Sequence, residues 1–190
     1  MAYDNRMALT STGAVHEEKQ FDEQVLHIDR VARVVRGGRR FRFRALVVVG
    51  DHKGKVGVGS AKGADVTAAI TKAVEVAKKS MLELNLYKET VPHEVEAKVS
   101  GAHILIKPAS AGTGLIAGGV VRAILEVAGV HSVLSKSLGS SNKTNTAYAT
   151  LKALESLVPA SEWVTRRSAK STQKTNKTTK SATQKSGVVK

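Results

Sequence analysis

The chain has 190 residues, no cysteine and a formal net charge of +14. This length suits one medium domain or two small ones, and the lack of cysteine excludes disulfides, thiolate metal sites and a cysteine nucleophile. Ten Lys or Arg and only two acidic residues lie within 27–62, and eight basic residues without an acidic one lie within 166–190. Because an ordinary soluble surface mixes both signs of charge, we expect a folded basic surface, a basic tail and nucleic acid as the leading partner.

The first residues and the apolar runs bear on localisation. Residues 1–24 are polar and lack periodicity, which predicts a flexible N-terminal arm. The arm contains no apolar segment typical of a signal peptide, and no apolar run in the chain approaches the ~20 residues that span a membrane. The sequence therefore predicts a cytoplasmic protein without membrane contact.

Two consecutive runs with a period of two predict an antiparallel β-hairpin. The runs cover 28–35 and 41–49, and Gly37 and Gly38 between them can adopt the positive φ of a tight turn. Arginine suits phosphate because its planar guanidinium donates two parallel hydrogen bonds and stays charged. The pattern predicts guanidinium groups along one face of the hairpin and around its tip, with a merely solvated basic face as the alternative. The RNA-binding residues predicted here are Arg30, Arg33, Arg36, Gly37, Gly38, Arg39, Arg40, Arg42 and Arg44.

A third strand and an amphipathic helix follow the hairpin. Residues 55–60 have strand character, and the helix begins after Asp65, a good N-cap residue. Its apolar positions recur at three- and four-residue steps as far as Leu84. These elements predict an RNA-binding domain over 25–88. Its three-stranded antiparallel sheet has one face packed against the helix and one face free.

Glycines recur within 57–63, between the third strand and the helix. Their G-x-G-x-x-x-G spacing differs from the dinucleotide-binding fingerprint, so no cofactor is expected. We interpret these glycines as positions where the backbone approaches RNA closely, with Lys53, Lys55 and Lys62 nearby for phosphates. A plain structural turn is the alternative.

The second half of the chain predicts another small α+β domain, over 92–158, after a linker at 87–92. Its elements are strands at 94–99 and 102–107, a glycine-rich segment at 112–119 that opens an aliphatic helix, a strand at 130–138 and a helix at 142–157. The order ββαβα is typical of the α+β class. The glycines around Thr113 either present N–H groups to a phosphate or serve tight packing. Residues 166–190 have almost nothing apolar to bury, which predicts a disordered basic tail.

Several of these runs are similar to those of a known family. In the first half they are 36–39, 49–51 and 55–59, and in the second half 108–119, 125–131 and 139–142. In order and spacing, over about residues 25–157, they resemble the bacterial small-subunit ribosomal protein S-five (S5) family.

The resemblance implies an N-terminal domain like the double-stranded-RNA-binding domain (dsRBD-like) and a C-terminal domain of the ribosomal S-five/D2-like fold. It implies small-subunit ribosomal RNA as the partner, contacts with the neighbouring proteins S-four and S-eight, a place beside the messenger RNA entry path and an influence on decoding accuracy. The hairpin tip at 35–39 corresponds to the family's loop near the spectinomycin site. In the C-terminal half the predicted RNA-binding residues are Lys107, Ser110, Thr113, Ser140, Asn142 and Lys143.

Two classes of function compete at this point. The first is a structural RNA-binding component of the small ribosomal subunit, without catalytic residues, cofactor, metal or obligate homo-oligomer. The second is an enzyme that acts on nucleic acid or phosphorylated substrates through the glycine-rich loops. The chain lacks a G-x-x-x-x-G-K-[ST] motif, and its six histidines do not have metal-ligand spacing. Both observations favour the first class.

Overall fold

The computed structural model of the protein describes residues 21–159 and residue 162. Residues 1–20 of the flexible arm predicted for 1–24, and the tail predicted for 166–190, lie outside the described residues. The elements, in chain order, are β1 (Asp22–Val35), β2 (Gly38–Gly50), β3 (Lys55–Gly63), α1 (Val66–Lys79), β4 (Leu82–Glu83), β5 (Val95–Val99), β6 (Ala102–Pro108), β7 (Leu115–Ile116), α2 (Gly119–Val127), β8 (Val133–Ser137) and α3 (Lys143–Glu155).

The N-terminal half forms an antiparallel sheet in the order β1-β2-β3-β4, covered by α1. The predicted hairpin, third strand and helix are all present. β1 already begins at Asp22, which pairs with Gly50, so the last residues of the predicted arm belong to the sheet. α1 starts after Asp65 as expected but ends at Lys79. The prediction of helix as far as Leu84 was wrong, because the chain turns into β4 and pairs there with Lys55.

The glycines of β3 serve the packing of α1. A Cβ on Gly57 or Gly59 would collide with the carbonyl oxygens of Ala77 and Ala73, respectively, and one on Gly63 would lie 2.6 Å from the backbone nitrogen of Ala69. Small residues on both elements thus let the helix backbone approach the strand closely. The interpretation that the backbone approaches RNA at these glycines was therefore wrong. The helix already occupies that space.

Both faces of the N-terminal sheet are covered at the end far from the hairpin turn, around residues 45–49 of β2, which we call its base. On the face that we call the helix side, Val47 and Val49 pack with the alanines of α1. On the opposite face, which we call the core side, Leu46 and Val48 join a cluster with residues of the C-terminal half, among them Val127 of α2. The prediction of one free face was wrong for this part of the sheet. The unbroken apolar run at 45–49 is the pattern of a strand buried on both faces.

The C-terminal half has the predicted order ββαβα, with one addition. Its sheet runs β5-β6-β8-β7, and the short β7, which pairs in parallel with β8, was not predicted. Ile104 and Ile106 of β6 are fully buried in a cluster that includes residues of α2 and α3. α3 begins after Asn142, whose side chain accepts a hydrogen bond from the Thr144 backbone nitrogen at 3.2 Å. The α+β fold class predicted from the sequence is confirmed.

Candidate nucleic-acid interface

The β1–β2 hairpin extends beyond the rest of its sheet as a two-stranded ribbon. β3 ends at Gly63, opposite Phe43, and five further residue pairs of β1 and β2 lie beyond this rung. At about 3.4 Å per residue, the ribbon is roughly 17 Å long. Most of its side chains are exposed, so it presents two accessible faces and a tip.

The tip is a tighter turn than the sequence suggested. Val35 pairs with Gly38, which leaves only Arg36 and Gly37 in the turn. Gly37 has a φ of 89°, whereas Gly38 belongs to β2 and has no positive φ. The expectation that both glycines adopt positive φ was therefore wrong for Gly38. A Cβ at either glycine would meet no heavy atom within 4 Å.

The arginines of the ribbon are divided between its two faces. Cross-strand partners share a face of a sheet, and Arg33 pairs with Arg40 while Arg30 pairs with Phe43. On the core side lie Arg33, Arg40, Arg42 and Arg44, and on the helix side lie Arg30 and Arg39. The prediction that all guanidinium groups follow one face was therefore wrong. Alternation along each strand forces residues of opposite parity to opposite faces.

The core side of the ribbon carries a basic groove. An open pocket of about 460 Å³ is lined there by Arg33, Arg40, Arg42 and Lys62, together with Val31, Ala32 and Val35. All four cations are exposed, and within the described residues none of them forms an ion pair. We call Arg33, Arg40, Arg42 and Lys62 the groove cations. Like charges directly opposite each other destabilise a sheet, so the pairing of Arg33 with Arg40 favours an anionic ligand at this place.

The helix side of the ribbon combines a cation with an aromatic ring. The guanidinium carbon of Arg30 lies 3.8 Å from the centroid of the Phe41 ring, and Phe41 is 48% exposed. Arg39 lies on the same face. The sequence prediction included the two arginines but missed Phe41. The sequence did contain a signal for Phe41, because this residue lies two positions from Arg39 and therefore on the same face of the strand. It also lies beyond Phe43, the last residue of β2 that pairs with β3.

Arg44 differs from the other arginines because it is half-buried and paired. Its Nη2 and Nε donate to Asp29 Oδ2 at 2.6 and 3.1 Å. Hydrogen bonding by Arg44 lowers the pKa of Asp29 below its usual value, against the opposing effect of burial. Asp29 Oδ1 also lies 2.7 Å from His27 Nε2, and the second ring nitrogen of His27 lies 3.2 Å from Lys143 Nζ. The base of the ribbon is thereby linked to the start of α3.

Two of the predicted lysines lie far from the groove. Lys53 and Lys55 are at the end of the sheet opposite the hairpin tip, where β2 ends and β3 begins, whereas the groove cations lie towards the other end of these strands. Lys55 Nζ lies 2.6 Å from Glu83 Oε1, whose hydrogen bond raises the pKa of Lys55. The neighbouring Gly54 donates to the Ala128 carbonyl at the end of α2. Through this hydrogen bond the loop links the two halves of the molecule. Of the two lysines, Lys55 is paired with Glu83, whereas Lys53 is exposed and has no ion-pair partner among the described residues.

The C-terminal candidates are divided between the two ends of their sheet. Ser140, Asn142 and Lys143 lie at the end where β5 turns into β6, since the Ser140 backbone nitrogen donates to the Gly101 carbonyl at 2.7 Å. At the other end of β6, Lys107 Nζ lies 2.9 Å from Glu94 Oε1. In the loop that follows, the hydroxyl oxygens of Ser110 and Thr113 are 3.0 Å apart. Of this set, the structure brings only Lys143 to the base of the basic hairpin.

Comparison with known proteins agrees with this architecture in both halves. The sequence model described as "Ribosomal protein S5, N-terminal domain" matches residues 21–85, and that described as "Ribosomal protein S5, C-terminal domain" matches residues 97–167. "Small ribosomal subunit protein uS5" of Treponema pallidum subsp. pallidum is 54% identical over 143 residues, which cover 75% of this chain and 83% of that protein. The chain belongs to the ribosomal protein S5 family.

Membership of the S5 family confirms the resemblance predicted from the sequence. It makes the chain a structural constituent of the ribosome and rules out the alternative of an enzyme on phosphorylated substrates. Over residues 21–159 and 162, no helix is long and apolar enough to cross a membrane. In the same part of the chain, no group of three or more His, Asp or Glu side chains is arranged to hold a metal ion.

Proposed function

We propose that the chain binds small-subunit ribosomal RNA chiefly through the groove cations, and that the hairpin anchors it where the head of the subunit meets the body. A role beside the messenger RNA entry path, contacts with S-four and S-eight and an influence on decoding accuracy belong to the same proposal. The observation that carries it is the opposed pair Arg33 and Arg40. The free protein tolerates this repulsion, and an RNA phosphate would relieve it.

The remaining candidates extend this contact. An RNA strand that passes around the tip would contact Arg36 at the turn and Arg30 and Arg39 on the helix side. The absence of side chains at Gly37 and Gly38 keeps the tip narrow. Arg44 positions the ribbon through Asp29. Lys143, with Ser140 and Asn142 before it, continues the basic surface onto α3. The other candidates lie away from the groove, and we assign them to separate contacts with RNA. They are Lys53, Lys55, Lys107, Ser110 and Thr113.

The domain limits are part of the proposal. We assign RNA binding by the dsRBD-like fold to residues 25–88 and the S-five/D2-like C-terminal domain to residues 92–158. The two halves share one apolar cluster, which contains Val48 and Val58 of the first half and Leu125 and Leu154 of the second. A rigid connection of this kind would hold the hairpin at a constant angle to the second RNA contact of the C-terminal half.

The salt dependence of RNA binding tests the groove. Each phosphate neutralised contributes about 0.7–0.9 to the slope of log affinity against log salt, so four groove cations predict a contribution of about −3 to −3.6. We expect the full-length variant R33Q/R40Q/R42Q to flatten the slope by about 2–2.7 for a structured small-subunit RNA fragment. The control K72Q/K98Q/K136Q removes three exposed lysines elsewhere and should leave the slope nearly unchanged. Equal losses in both variants would reduce the groove to general electrostatic attraction.

The hairpin tip offers a second test, in the assembled ribosome. Gly38→Val adds a side chain where no atom lies within 4 Å, so the free protein should keep its melting temperature. Because the tip corresponds to the family's loop near the spectinomycin site, the added bulk should alter the response of the ribosome to that drug. An unchanged response in ribosomes that contain the variant would contradict this role of the tip.

A further inference from the structure

We propose that the pair formed by Arg30 and Phe41 is a stacking site for an unpaired nucleobase of RNA. This inference rests on the proposed RNA-binding function and adds a second mode of recognition to it. The groove cations on the core side contact phosphate charge, whereas the pair on the helix side offers a flat surface to a base. The two modes can therefore be separated experimentally.

Phe41 is exposed, whereas the other two phenylalanines of the chain are partly buried. The chain contains three phenylalanines, of which Phe21 and Phe43 pack against the apolar cluster beneath α1. Phe41 lies one alternation beyond Phe43, past the end of β3, and 48% of it is exposed. Since neither β3 nor the core beneath α1 covers this ring, it contributes little to the core. An exposed aromatic ring among positively charged side chains is the combination on which unpaired bases stack in RNA-binding proteins.

The ring is held in place before any ligand binds. Arg30 lies diagonally across from Phe41, and its guanidinium carbon is 3.8 Å from the ring centroid. The residue directly opposite Phe41 is Ala32, whose small side chain leaves the ring open. Because a stacked guanidinium and aromatic ring are both planar, they form a preorganised platform. Bases of unpaired RNA stack on aromatic rings and on arginine planes in the same way.

The charges around Phe41 favour RNA over an apolar protein surface as its partner. Arg39 lies on the same face and Arg36 in the adjoining turn. Asp29, the only acidic residue within 27–50, lies on the other face and is engaged with Arg44. An apolar protein partner would bury these guanidinium groups without compensation, which is costly. A nucleotide supplies a base for the ring and a phosphate for the neighbouring arginines.

The test compares unpaired with paired RNA. The probes are an RNA stem-loop whose loop carries one 2-aminopurine and a fully paired RNA with the same number of phosphates. Stacking on one aromatic ring contributes about 1–3 kcal/mol, so Phe41→Leu in the full-length protein should weaken stem-loop binding by about fivefold to 150-fold. Affinity for the paired RNA and the salt slope of both probes should stay constant, because no charge is removed.

Matched variants separate stacking from the shape of the hairpin. Val34→Ala changes an apolar residue on the same face that is 76% exposed, and it should bind both probes like the wild type. Phe41→Tyr keeps the ring and should restore stem-loop affinity. Quenching of 2-aminopurine fluorescence by the wild type and by Phe41→Tyr, but not by Phe41→Leu, would show direct stacking.

Each other outcome overturns the inference in a recognisable way. Equal weakening of both probes by Phe41→Leu would assign the ring to hairpin structure. Normal binding of both probes by Phe41→Leu, together with poor incorporation into the small subunit, would assign the ring to a protein partner. If the wild type binds both probes equally with a steep salt slope, the proposed function stands and the stacking site fails. If the wild type binds neither probe, the proposed function itself fails.

Discussion

The base and the tip of the β1–β2 hairpin are built in contrasting ways. At the base, Val47 and Val48 point to opposite faces and both are fully buried, one under α1 and one against the C-terminal half. At the tip, five residue pairs are held only by each other within the described part of the chain, and most of their side chains are exposed, four of them arginines. One pair of strands thus serves stability at one end and recognition at the other. Substitutions at the two ends should therefore have separable effects.

The largest effect is expected at the base, for Gly59→Ala. The added Cβ would collide with the Ala73 carbonyl oxygen and lie 2.6 Å from the Ala77 nitrogen, so α1 must move away from β3. Overpacking against backbone atoms should lower the free energy of unfolding by about 3 kcal/mol, measured by urea denaturation. The matched control is Gly38→Ala at the tip, which meets no neighbour and should change stability by less than about 0.5 kcal/mol. Similar losses in both variants would contradict the contrast between base and tip.

Local patterns predicted most of the elements but not how they meet. Alternation along 28–35 and 41–49 predicted the hairpin, because strand periodicity is a property of neighbouring residues. Because Arg39 and Arg40 are consecutive residues of one strand, alternation alone places them on opposite faces of the hairpin. The cross-strand pairing of Arg33 with Arg40, however, depends on the register set by the two-residue turn. A slip of one residue would exchange the faces of a strand.

Contacts between distant segments were not accessible from pattern. His27 and Lys143 lie 116 residues apart, and no local signal links them. Glycines in β3 indicate close approach of some backbone but do not say which, and here α1 fills the place that we had assigned to RNA. The run at 45–49 was different, because its unbroken apolar character is typical of burial on both faces, but the sequence prediction of one free face overlooked this signal.

The turn itself supplies the next prediction, Gly37→Ala. Gly37 has a φ of 89°, a backbone conformation that a Cβ disfavours by about 1–2 kcal/mol. The variant should lose about 1 kcal/mol of stability in urea denaturation, with cooperativity unchanged because the base stays packed. Gly38→Ala, without positive φ, is again the control. A loss at Gly38 as large as that at Gly37 would mean that the turn does not have the geometry described.

A smaller and pH-dependent effect is expected where base and tip join, for Asp29→Asn. Removing the carboxylate beside Arg44 should cost about 0.5–1 kcal/mol at neutral pH. Because the pKa of Asp29 is lowered in the folded protein, its contribution is present above the unfolded-state value near 3.8 and is lost as pH falls through the lower folded-state value. The difference in urea midpoint between wild type and variant should therefore shrink below about pH 4. The control Glu75→Gln, on the exposed side of α1, should have the urea midpoint of the wild type at every pH. If the difference in midpoint between wild type and Asp29→Asn persists in acid, the ion pair is not its cause.

The smallest change in stability is expected at the tip, with the opposite sign. Arg33→Thr removes one member of the opposed pair with Arg40 and introduces a residue with good strand propensity. Relief of like-charge repulsion should raise the free energy of unfolding by about 0.5 kcal/mol while RNA affinity falls and the salt slope flattens by about 0.7–0.9. Melting curves at low and high salt provide the check, because screening should erase the gain in stability. A variant that is less stable than the wild type would show that the arginine pair supports the ribbon and does not strain it. In that case the groove would be explained by folding alone, and the contrast between a stabilising base and a recognising tip would no longer hold.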